Sequence, residues 1–427
     1  MNDFIIKGDI CCSVNKDAIV TVPDGCVVCR NGLSAGVFES VPLKYSSLPV
    51  HDYRGMLVMP GMVDLHIHAP QYAYRGLGMD MELLDWLNAY AFPEEIKYAD
   101  KDYAARAYSI FAEAVKKSAT TRLAVFGTVH NYATLLLAEA LERTGCVSFV
   151  GKVNMDRNSP DKLREPGAMY SSDDTERFII EIQSKYRNTY PIITPRFTPS
   201  CTDELMELLG KLSEKYGIPV QSHLSENPGE VEWVKELCPW ASFYGETYDR
   251  FGLFGSPAKT IMAHCVYSGE EEIALMKKNG VFIAHCPGSN MNVASGIAPI
   301  RKYLDMDMRV GLGSDVAGGN SESIFTAMVD ALQSSKLYWR LVDQSMKPLT
   351  VSEAFYMATK GGGRFFGMVG SFERGYEFDA VVIDDMHLPH PQPLSLRERL
   401  ERAIYLGGDI KAMKAKYCRG DLVHLVN

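Results

Sequence analysis

Short apolar runs alternate with longer helical patterns eight times along the central part of the chain. The runs are rich in β-branched and aliphatic residues, and the stretches between them repeat their apolar residues at helical spacing. Strands that alternate with helices pair in parallel through right-handed crossovers, and eight such strands close economically into a barrel. We therefore predict an α/β fold with a (β/α)8 TIM-like barrel, whose strands lie in VDLHIHA (63–69), RLAVFGTVH (122–130), VSFVGKVN (147–154), PIITPRF (191–197), IPVQSHL (218–224), KTIMAHC (259–265), VFIAHC (281–286) and RVGLGSD (309–315).

The two ends of the chain do not follow this cycle. Residues 1–59 and 372–427 carry short alternating segments punctuated by Gly, Pro and Asn, with a helical excursion inside 391–417. We predict that both terminal segments together form a small β-sandwich domain. The barrel domain then spans 60–371.

Six of the ten histidines fall at or near the C-terminal end of a predicted strand. Active sites of such barrels are built at that end, from the segments that leave the strands. Packing accounts for a single histidine more readily than for six at one end. The sequence therefore predicts a functional site there, contributed to by His66, His68, His130, His223, His264 and His285.

His66 and His68 lie two residues apart in a strand, so both side chains point to the same side. Two neutral imidazoles at this spacing can chelate one divalent metal, whereas an unpaired buried pair only costs desolvation. His223 is the expected third ligand, because the fifth strand lies across the barrel from the first. Asp315, at the end of the eighth strand, is the expected anionic ligand, and it can also accept a proton from water. The alternative for Asp315 is a helix N-cap.

Two further residues are expected to act beside the metal. Glu226 lies three residues beyond His223, where a carboxylate in a dry pocket can carry protons. The alternative is an ordinary surface glutamate. His264 ends the sixth strand and can hold the attacking water and stabilise the charged intermediate, or serve as another ligand.

The composition argues against several kinds of partner. The formal net charge is −9 and the pI is about 5.7, which disfavours nucleic acid and acidic membrane surfaces. Neither a secretory signal nor an apolar run long enough to span a membrane is expected. The ten cysteines, including the pair in CVVC (26–29), are expected to be reduced thiols of a cytoplasmic protein.

Six segments in this order resemble the amidohydrolase superfamily and, more narrowly, its guanine deaminase family. They are PGMVDLHIHAPQYAYRG, ITPRFTPSC, QSHLSEN, MAHC, IAHCPGSN and GLGSDVAGG, and the resemblance covers nearly the whole chain. Two positions depart from the usual pattern, since Ser314 stands in place of a threonine and Gly288 in place of an asparagine or threonine. Neither departure removes a metal ligand.

The resemblance implies one zinc ion per chain, with Fe²⁺ as the alternative, and a homodimer. It gives the metal to His66, His68, His223 and Asp315, and assigns Glu226 as the proton shuttle with His264 beside the water. It also implies a set of substrate-binding residues, comprising Gln71, Arg196, Phe197, His223 and Glu226.

The reaction expected from this resemblance is the hydrolytic deamination of guanine to xanthine and ammonia. In it Asp315 takes a proton from water, the resulting hydroxide attacks C2, and Glu226 delivers protons to N3 and to the leaving amine. Arg196 only donates hydrogen bonds, so it suits the O6 carbonyl of guanine and not the amino group of adenine.

Alternatives remain at several positions. Arg196 could instead form a salt bridge between strand ends, Gln71 could cap a loop, and Phe197 is equally suited to core packing. For the whole chain, the alternatives are a related amidohydrolase acting on an adenosine-like or triazine ring, and a non-catalytic barrel. The roles of His130 and His285 stay open, as does whether 81–95 is a helix that covers the site as a lid.

Overall fold

The computed structural model describes residues 3–408 and 412–426. Their strands are β1 (Phe4–Asn15), β2 (Ala18–Arg30), β3 (Leu33–Phe38), β4 (Val50–Pro60), β5 (Met62–His68), β6 (Thr120–Phe126), β7 (Val147–Gly151), β8 (Val153–Asn154), β9 (Thr189–Pro191), β10 (Thr194–Pro195), β11 (Val220–Leu224), β12 (Thr260–His264), β13 (Phe282–His285), β14 (Arg309–Leu312), β15 (Ala380–Ile383), β16 (Met413–Cys418) and β17 (Asp421–Leu425).

Helices fill the connections between the strands. They are α1 (Leu83–Trp86), α2 (Phe92–Ile96), α3 (Lys101–Lys117), α4 (Asn131–Glu142), α5 (Ala168–Lys185), α6 (Asp203–Tyr216), α7 (Pro228–Leu237), α8 (Glu246–Asp249), α9 (Glu270–Asn279), α10 (Pro287–Asn292), α11 (Ile300–Asp305), α12 (Ile324–Leu341), α13 (Val351–Tyr356) and α14 (Leu396–Tyr405).

All eight predicted strands are present, and the prediction of a TIM-like barrel is confirmed. They form two four-stranded parallel sheets, in the orders β5-β6-β7-β9 and β11-β12-β13-β14. Hydrogen bonds from Asp315 N–H to the His66 carbonyl (2.8 Å) and from Gln221 N–H to the Ile193 carbonyl (2.9 Å) link the two sheets on either side. Within the described residues, no continuous strand ladder closes the ring.

The fourth predicted strand is the irregular one. The run 191–197 is divided between the end of β9 and the short strand β10, with a single bridge from Ile193 to Val220. Pro191 and Pro195 have no N–H to donate, and proline is therefore poorly tolerated inside a sheet. The ladder breaks at this position, close to Arg196.

The terminal segments form the predicted small β domain, and their seven strands are joined by hydrogen bonds in one sheet. Its strand order is β17-β16-β15-β4-β1-β2-β3. The central strand β4 pairs with β1 on one side and with β15 on the other, so the two ends of the chain are joined edge to edge. Cys11, Leu57 and Met59 of this sheet share a hydrophobic cluster with the barrel helices.

The predicted helical excursion corresponds to α14, whose Leu400 and Ile404 enter the same hydrophobic cluster. The domain boundaries given above stay a prediction. A search of the described helices for one long and apolar enough to cross a bilayer finds none.

Candidate active site

The predicted metal ligands meet at the C-terminal ends of the barrel strands. Nε2 of His66 lies 3.1 Å from Oδ1 of Asp315, and Nε2 of His68 lies 3.5 Å from the same oxygen. The Nε2 atoms of His68 and His223 are 3.1 Å apart. The side chains of His66 and Asp315 are almost completely buried. His66 is shared by two groups of ligand atoms that lie within 4.8 Å of one another, one with His68 and His223 and one with His264, Cys286 and Asp315.

Neighbouring groups orient the imidazole rings. Nδ1 of His223 lies 2.6 Å from the Arg196 carbonyl, and Nδ1 of His264 lies 2.8 Å from Oδ1 of Asn290. Since these oxygens only accept hydrogen bonds, each Nδ1 carries the proton and donates it. The lone pair of each Nε2 then points into the site, which is the arrangement of a metal-binding histidine.

The ligand set fits a divalent cation. Both ring nitrogens of His66 and Nε2 of His264 are buried without a hydrogen-bond partner among the described residues. Such an atom costs about 1–3 kcal/mol unless something satisfies it. Ligand atoms around one shared ion are roughly 3.4 Å apart at ordinary zinc–ligand bond lengths, which matches the observed separations. Burial and the neighbouring His66 ring hold the pKa of His68 well below its ordinary value, so its ring is neutral, as metal binding requires.

Glu226 and His264 lie on one side of this cluster. Nε2 of His264 is 3.4 Å from Oε2 of Glu226 and 3.7 Å from Oδ2 of Asp315. The Ser295 hydroxyl donates to Oε1 of Glu226 at 3.1 Å. Burial, reinforced by the charge of Asp315, raises the pKa of Glu226 well above its ordinary value. A protonated carboxyl group therefore faces a carboxylate, with an imidazole between them.

The backbone turns sharply where these side chains are presented. Ser225, His264 and Asp315 have φ angles of 47°, 74° and 46°. Residues other than glycine adopt this left-handed conformation at a cost on the order of 1 kcal/mol or more. Such strain is concentrated at functional sites, and here it is found at the ends of three barrel strands.

The predicted substrate residues line the cavity next to the cluster. Arg196 Nη1 donates to Oε2 of Glu95 at 2.6 Å, and Gln71 Nε2 donates to Oε1 of Glu95 at 3.1 Å. The Gln71 carbonyl oxygen accepts from Ala317 N–H at 3.2 Å. Arg196 therefore forms a salt bridge, as the alternative interpretation expected, and its side chain also lines the cavity. The lining comprises His68, Gln71, Leu83, Trp86, Leu87, Arg196, Phe197, His223, Glu226, Glu230, His264, Ser289, Asp315 and Gly318.

The segment 81–95 covers this cavity. It forms α1, a π-helical turn (Leu87–Ala91) and α2 in succession, and Leu83, Trp86 and Leu87 face the cavity. The Leu83 N–H donates to the Val293 carbonyl at 3.1 Å, which ties the segment to the residue that follows α10. The site is thus shielded from solvent by apolar side chains.

His130 and His285 are not among the described residues that line this cavity. His285 is buried at the end of β13, and burial lowers its pKa to about 3. His130 is half-buried, and its ring stacks on Tyr132 with centroids 5.9 Å apart. These positions favour packing roles for both residues.

Several residues that sequence reasoning missed support the site. Glu230 accepts hydrogen bonds from Glu226 N–H (2.9 Å) and from the Tyr244 hydroxyl (2.7 Å). Its capping-box spacing from Asn227 was a usable signal. Cys286 also reaches the cluster, since its Sγ lies within 4.8 Å of the ligand atoms of His66 and Asp315. Glu95 carried no comparable signal.

A larger cavity of about 1080 Å³ lies at the opposite end of the barrel, near Pro219 and Lys259, which precede β11 and β12. The described residues that line it include no histidine, cysteine or aspartate. Its carboxylates, Glu207 and Glu214, are not part of any group of at least three metal-ligand side chains found among the described residues. The chemistry therefore belongs to the smaller cavity.

Comparisons with known proteins agree with this site. Residues 57–414 match the model of the Amidohydrolase family. The guanine deaminase of Dictyostelium discoideum is 39% identical over 382 residues, covering 88% of this chain and 84% of that protein. The guanine deaminase of Escherichia coli (strain K12) is 34% identical over 387 residues, covering 88% and 85%.

A solved structure extends the similarity. The crystal structure of guanine deaminase from C. acetobutylicum with bound guanine in the active site has a TM-score of 0.96 and 48% sequence identity, covering 99% of this chain and 100% of that chain. The resemblance read from the sequence motifs is confirmed. The chain belongs to the amidohydrolase family and, within it, to the guanine deaminase family.

Proposed function

We propose that the protein hydrolyses guanine to xanthine and ammonia. The observation that carries this proposal is one cavity with a metal-type ligand cluster on one side and the donors of Arg196 and Gln71 on another. The relative solved with guanine bound in its active site supports the choice of substrate.

In this proposal His66, His68, His223 and Asp315 hold one zinc ion, with Fe²⁺ as the alternative. The neutral imidazoles and the carboxylate are the ligand types that both ions accept. A bound divalent cation of this kind lowers the pKa of a coordinated water towards about 7.

Proton transfer is proposed to run between Asp315 and Glu226. The water oxygen bonds to C2 of guanine while Asp315 takes one proton from that water. Glu226 gives its own proton to N3. Glu226 then accepts the proton of the new hydroxyl and passes it to the amino group, the C2–N bond breaks, and ammonia leaves. The proton on Asp315 returns Glu226 to its acid form, and His264, whose Nε2 is 3.4 Å and 3.7 Å from the two carboxylates, lies between them.

Specificity is proposed to come from donors that match the 6-oxo group of guanine. Arg196 has only N–H donors, so it can bind a carbonyl at this position but not an amino group. An unmatched buried polar pair costs about 1–3 kcal/mol, which disfavours adenine. Gln71 binds the purine edge, Phe197 packs on the ring, and His223 borders the substrate from the metal side.

Replacing Arg196 with Met tests this assignment. We expect guanine turnover to fall about 100-fold or more while bound metal stays at the wild-type level, because a buried charged donor is lost. Assays of ammonia release together with metal content distinguish the two effects. Unchanged turnover of guanine would remove Arg196 from substrate recognition.

The activity itself is tested on purified protein with its metal content measured. Ammonia release is followed with guanine, adenine, adenosine, cytosine and an aminated triazine. We expect guanine to be the preferred substrate by a wide margin. Preference for adenosine or a triazine would replace the proposal with one of its alternatives, and no release from any of them would favour a non-catalytic role.

We further propose a cytoplasmic homodimer that serves guanine catabolism, with the domain division 1–59, 60–371 and 372–427. All ten cysteines lie in the described part of the chain as free, buried thiols, which supports a reducing compartment. Light scattering of the purified protein tests the dimer, since a monomer mass would contradict it.

A further inference from the structure

Glu95 connects Gln71 and Arg196, two residues that line the proposed substrate cavity. Its side chain is buried, with the residue only 2% exposed. One carboxylate oxygen accepts a hydrogen bond from Arg196 Nη1 at 2.6 Å, and the other accepts one from Gln71 Nε2 at 3.1 Å. A single carboxylate thus fixes two of the side chains proposed to bind the purine.

Glu95 lies on α2, which continues the helical segment whose α1 and π-helical turn line the cavity. The Arg196 guanidinium carbon lies 5.0 Å from the centre of the Phe92 ring, which is three residues from Glu95 on the same face of α2. The π-helical turn before α2 begins at Leu87, which faces the cavity together with Leu83 and Trp86 of α1. π-helical turns of this kind are frequent at functional sites. Arg196 is therefore held by the same helical segment that shields the substrate.

A free arginine samples many rotamers, and a substrate must then order it at an entropic cost. The Glu95 carboxylate orders the Arg196 side chain when the protein folds, before any substrate binds. It also balances the buried positive charge of Arg196. The contact needs one of the five guanidinium donors, so it does not use up the side chain's capacity to bind an acceptor.

We propose that Glu95 is a positioning residue for substrate recognition. It aims the Arg196 guanidinium and the Gln71 amide at the oxygen-bearing edge of the purine, and so couples the covering helix to the recognition of the 6-oxo group. This inference rests on the proposed function. Glu95 acts through Arg196 and Gln71 and takes no part in proton transfer.

The test replaces Glu95 with Gln, which keeps the size but places an NH₂ group against a donor. Two affinities are compared, namely the KM of guanine and the inhibition constant of 2-aminopurine, which keeps the 2-amino group but lacks the 6-oxo group. We expect E95Q to raise the guanine KM about 10- to 100-fold, the usual effect of losing a charge-assisted hydrogen bond. The 2-aminopurine constant should change less than about threefold, within the range of an uncharged contact.

The matched control is E94Q. Glu94 is the neighbouring buried carboxylate of α2, but it bonds to Lys97 Nζ at 2.6 Å and to the Tyr103 hydroxyl, away from Arg196. E94Q should leave both constants near the wild-type values, and both variants should keep the wild-type metal content. Equal weakening of guanine and 2-aminopurine in E95Q would show a general structural role and overturn the inference, as would a guanine KM equal to that of E94Q.

The outcome of this test is separable from that of the proposed function. Metal-loaded wild-type protein that releases no ammonia from guanine would refute the proposed function itself. Wild-type protein that hydrolyses guanine, together with E95Q indistinguishable from E94Q, would refute only the role of Glu95.

Discussion

The chain buries two clusters of charged side chains at opposite ends of the barrel, and they differ in how completely their polar atoms are paired. At the N-terminal end, Arg122 donates to Asp379 Oδ1 (2.7 Å) and to Glu377 (2.9 Å), and Thr121 donates to Asp379 Oδ2 (2.9 Å). At the C-terminal end, both ring nitrogens of His66 are buried without a hydrogen-bond partner in the described part of the chain.

How completely the polar atoms are paired distinguishes a structural cluster from a functional one. The Arg122 cluster joins the first turns of the barrel to the terminal sheet and satisfies its charges internally. The histidine cluster leaves ligand atoms unsatisfied and adds backbone strain at His264 and Asp315, whose φ angles are 74° and 46°. Natural proteins retain such costs where a ligand or a reaction uses them.

The largest effect is expected from His66→Ala. Removing one ligand should empty the metal site and reduce guanine turnover by more than about 10,000-fold, because the source of activated water is lost. Metal analysis and ammonia release measure the two consequences together. A variant that keeps its metal and at least a tenth of the activity would mean that the histidine cluster is not the metal site.

Glu226→Gln separates proton transfer from metal binding within the same cluster. The amide cannot give up or regain a proton, so turnover should fall about 100- to 10,000-fold, the usual contribution of a general acid–base. The metal content should stay at the wild-type level, since Glu226 is not one of the four ligands. Normal turnover would remove Glu226 from the proton path.

Arg122→Met tests the Arg122 cluster. It leaves the buried Asp379 carboxylate without its guanidinium partner, so we expect the free energy of unfolding to fall by about 3–5 kcal/mol. Urea unfolding measures this change. The metal content and kcat of the folded variant should match wild type, and loss of metal would show that the two ends of the barrel are not independent.

Glu272→Gln tests a buried carboxylate bonded by a single hydroxyl, since Ser225 Oγ lies 2.8 and 2.9 Å from its two oxygens. Asp379, in contrast, is bonded by a guanidinium. Burial raises the pKa of Glu272 from 4.5 to about 7. The unfolded chain then loses this proton first, so stability is full below about pH 4.5 and is lost as the pH rises through about 7.

Glutamine does not ionise, so the free energy of unfolding of E272Q should rise relative to that of wild type by about 1–3 kcal/mol as the pH goes from 5 to 8. Unfolding curves at several pH values measure this difference. The control is E271Q, at an exposed neighbour on the same helix, which should show no such trend. A constant gap between E272Q and wild type across this pH range would contradict the burial argument.

The part of the site that follows the barrel cycle could be predicted from the sequence. His66, His68, His223 and Asp315 are each placed by a strand end, and the two-residue spacing of the first pair fixes their common side. Glu95 could not be predicted in this way. It comes from a helix between the first two strands, and only the three-dimensional course of that segment brings it to Arg196.

The fold shows the same limit. Alternating apolar and polar residues indicated strands at both termini, but that pattern does not say which edges pair. The pairing of β4 with both β1 and β15 joins strands from the two ends of the chain in one sheet, and the residue pattern does not specify this pairing. The fourth strand was predicted without interruption, although Pro191 and Pro195 cannot donate backbone hydrogen bonds and were an unused signal of the break.

We propose that side chains from three separated strands share one ion and that this ion makes guanine hydrolysis feasible. The most direct measurement removes the metal with a chelator and restores zinc in steps while ammonia release from guanine is followed. We predict that activity disappears on removal and returns in proportion to bound zinc, saturating at one ion per chain. Full guanine turnover by metal-free protein would contradict the claim.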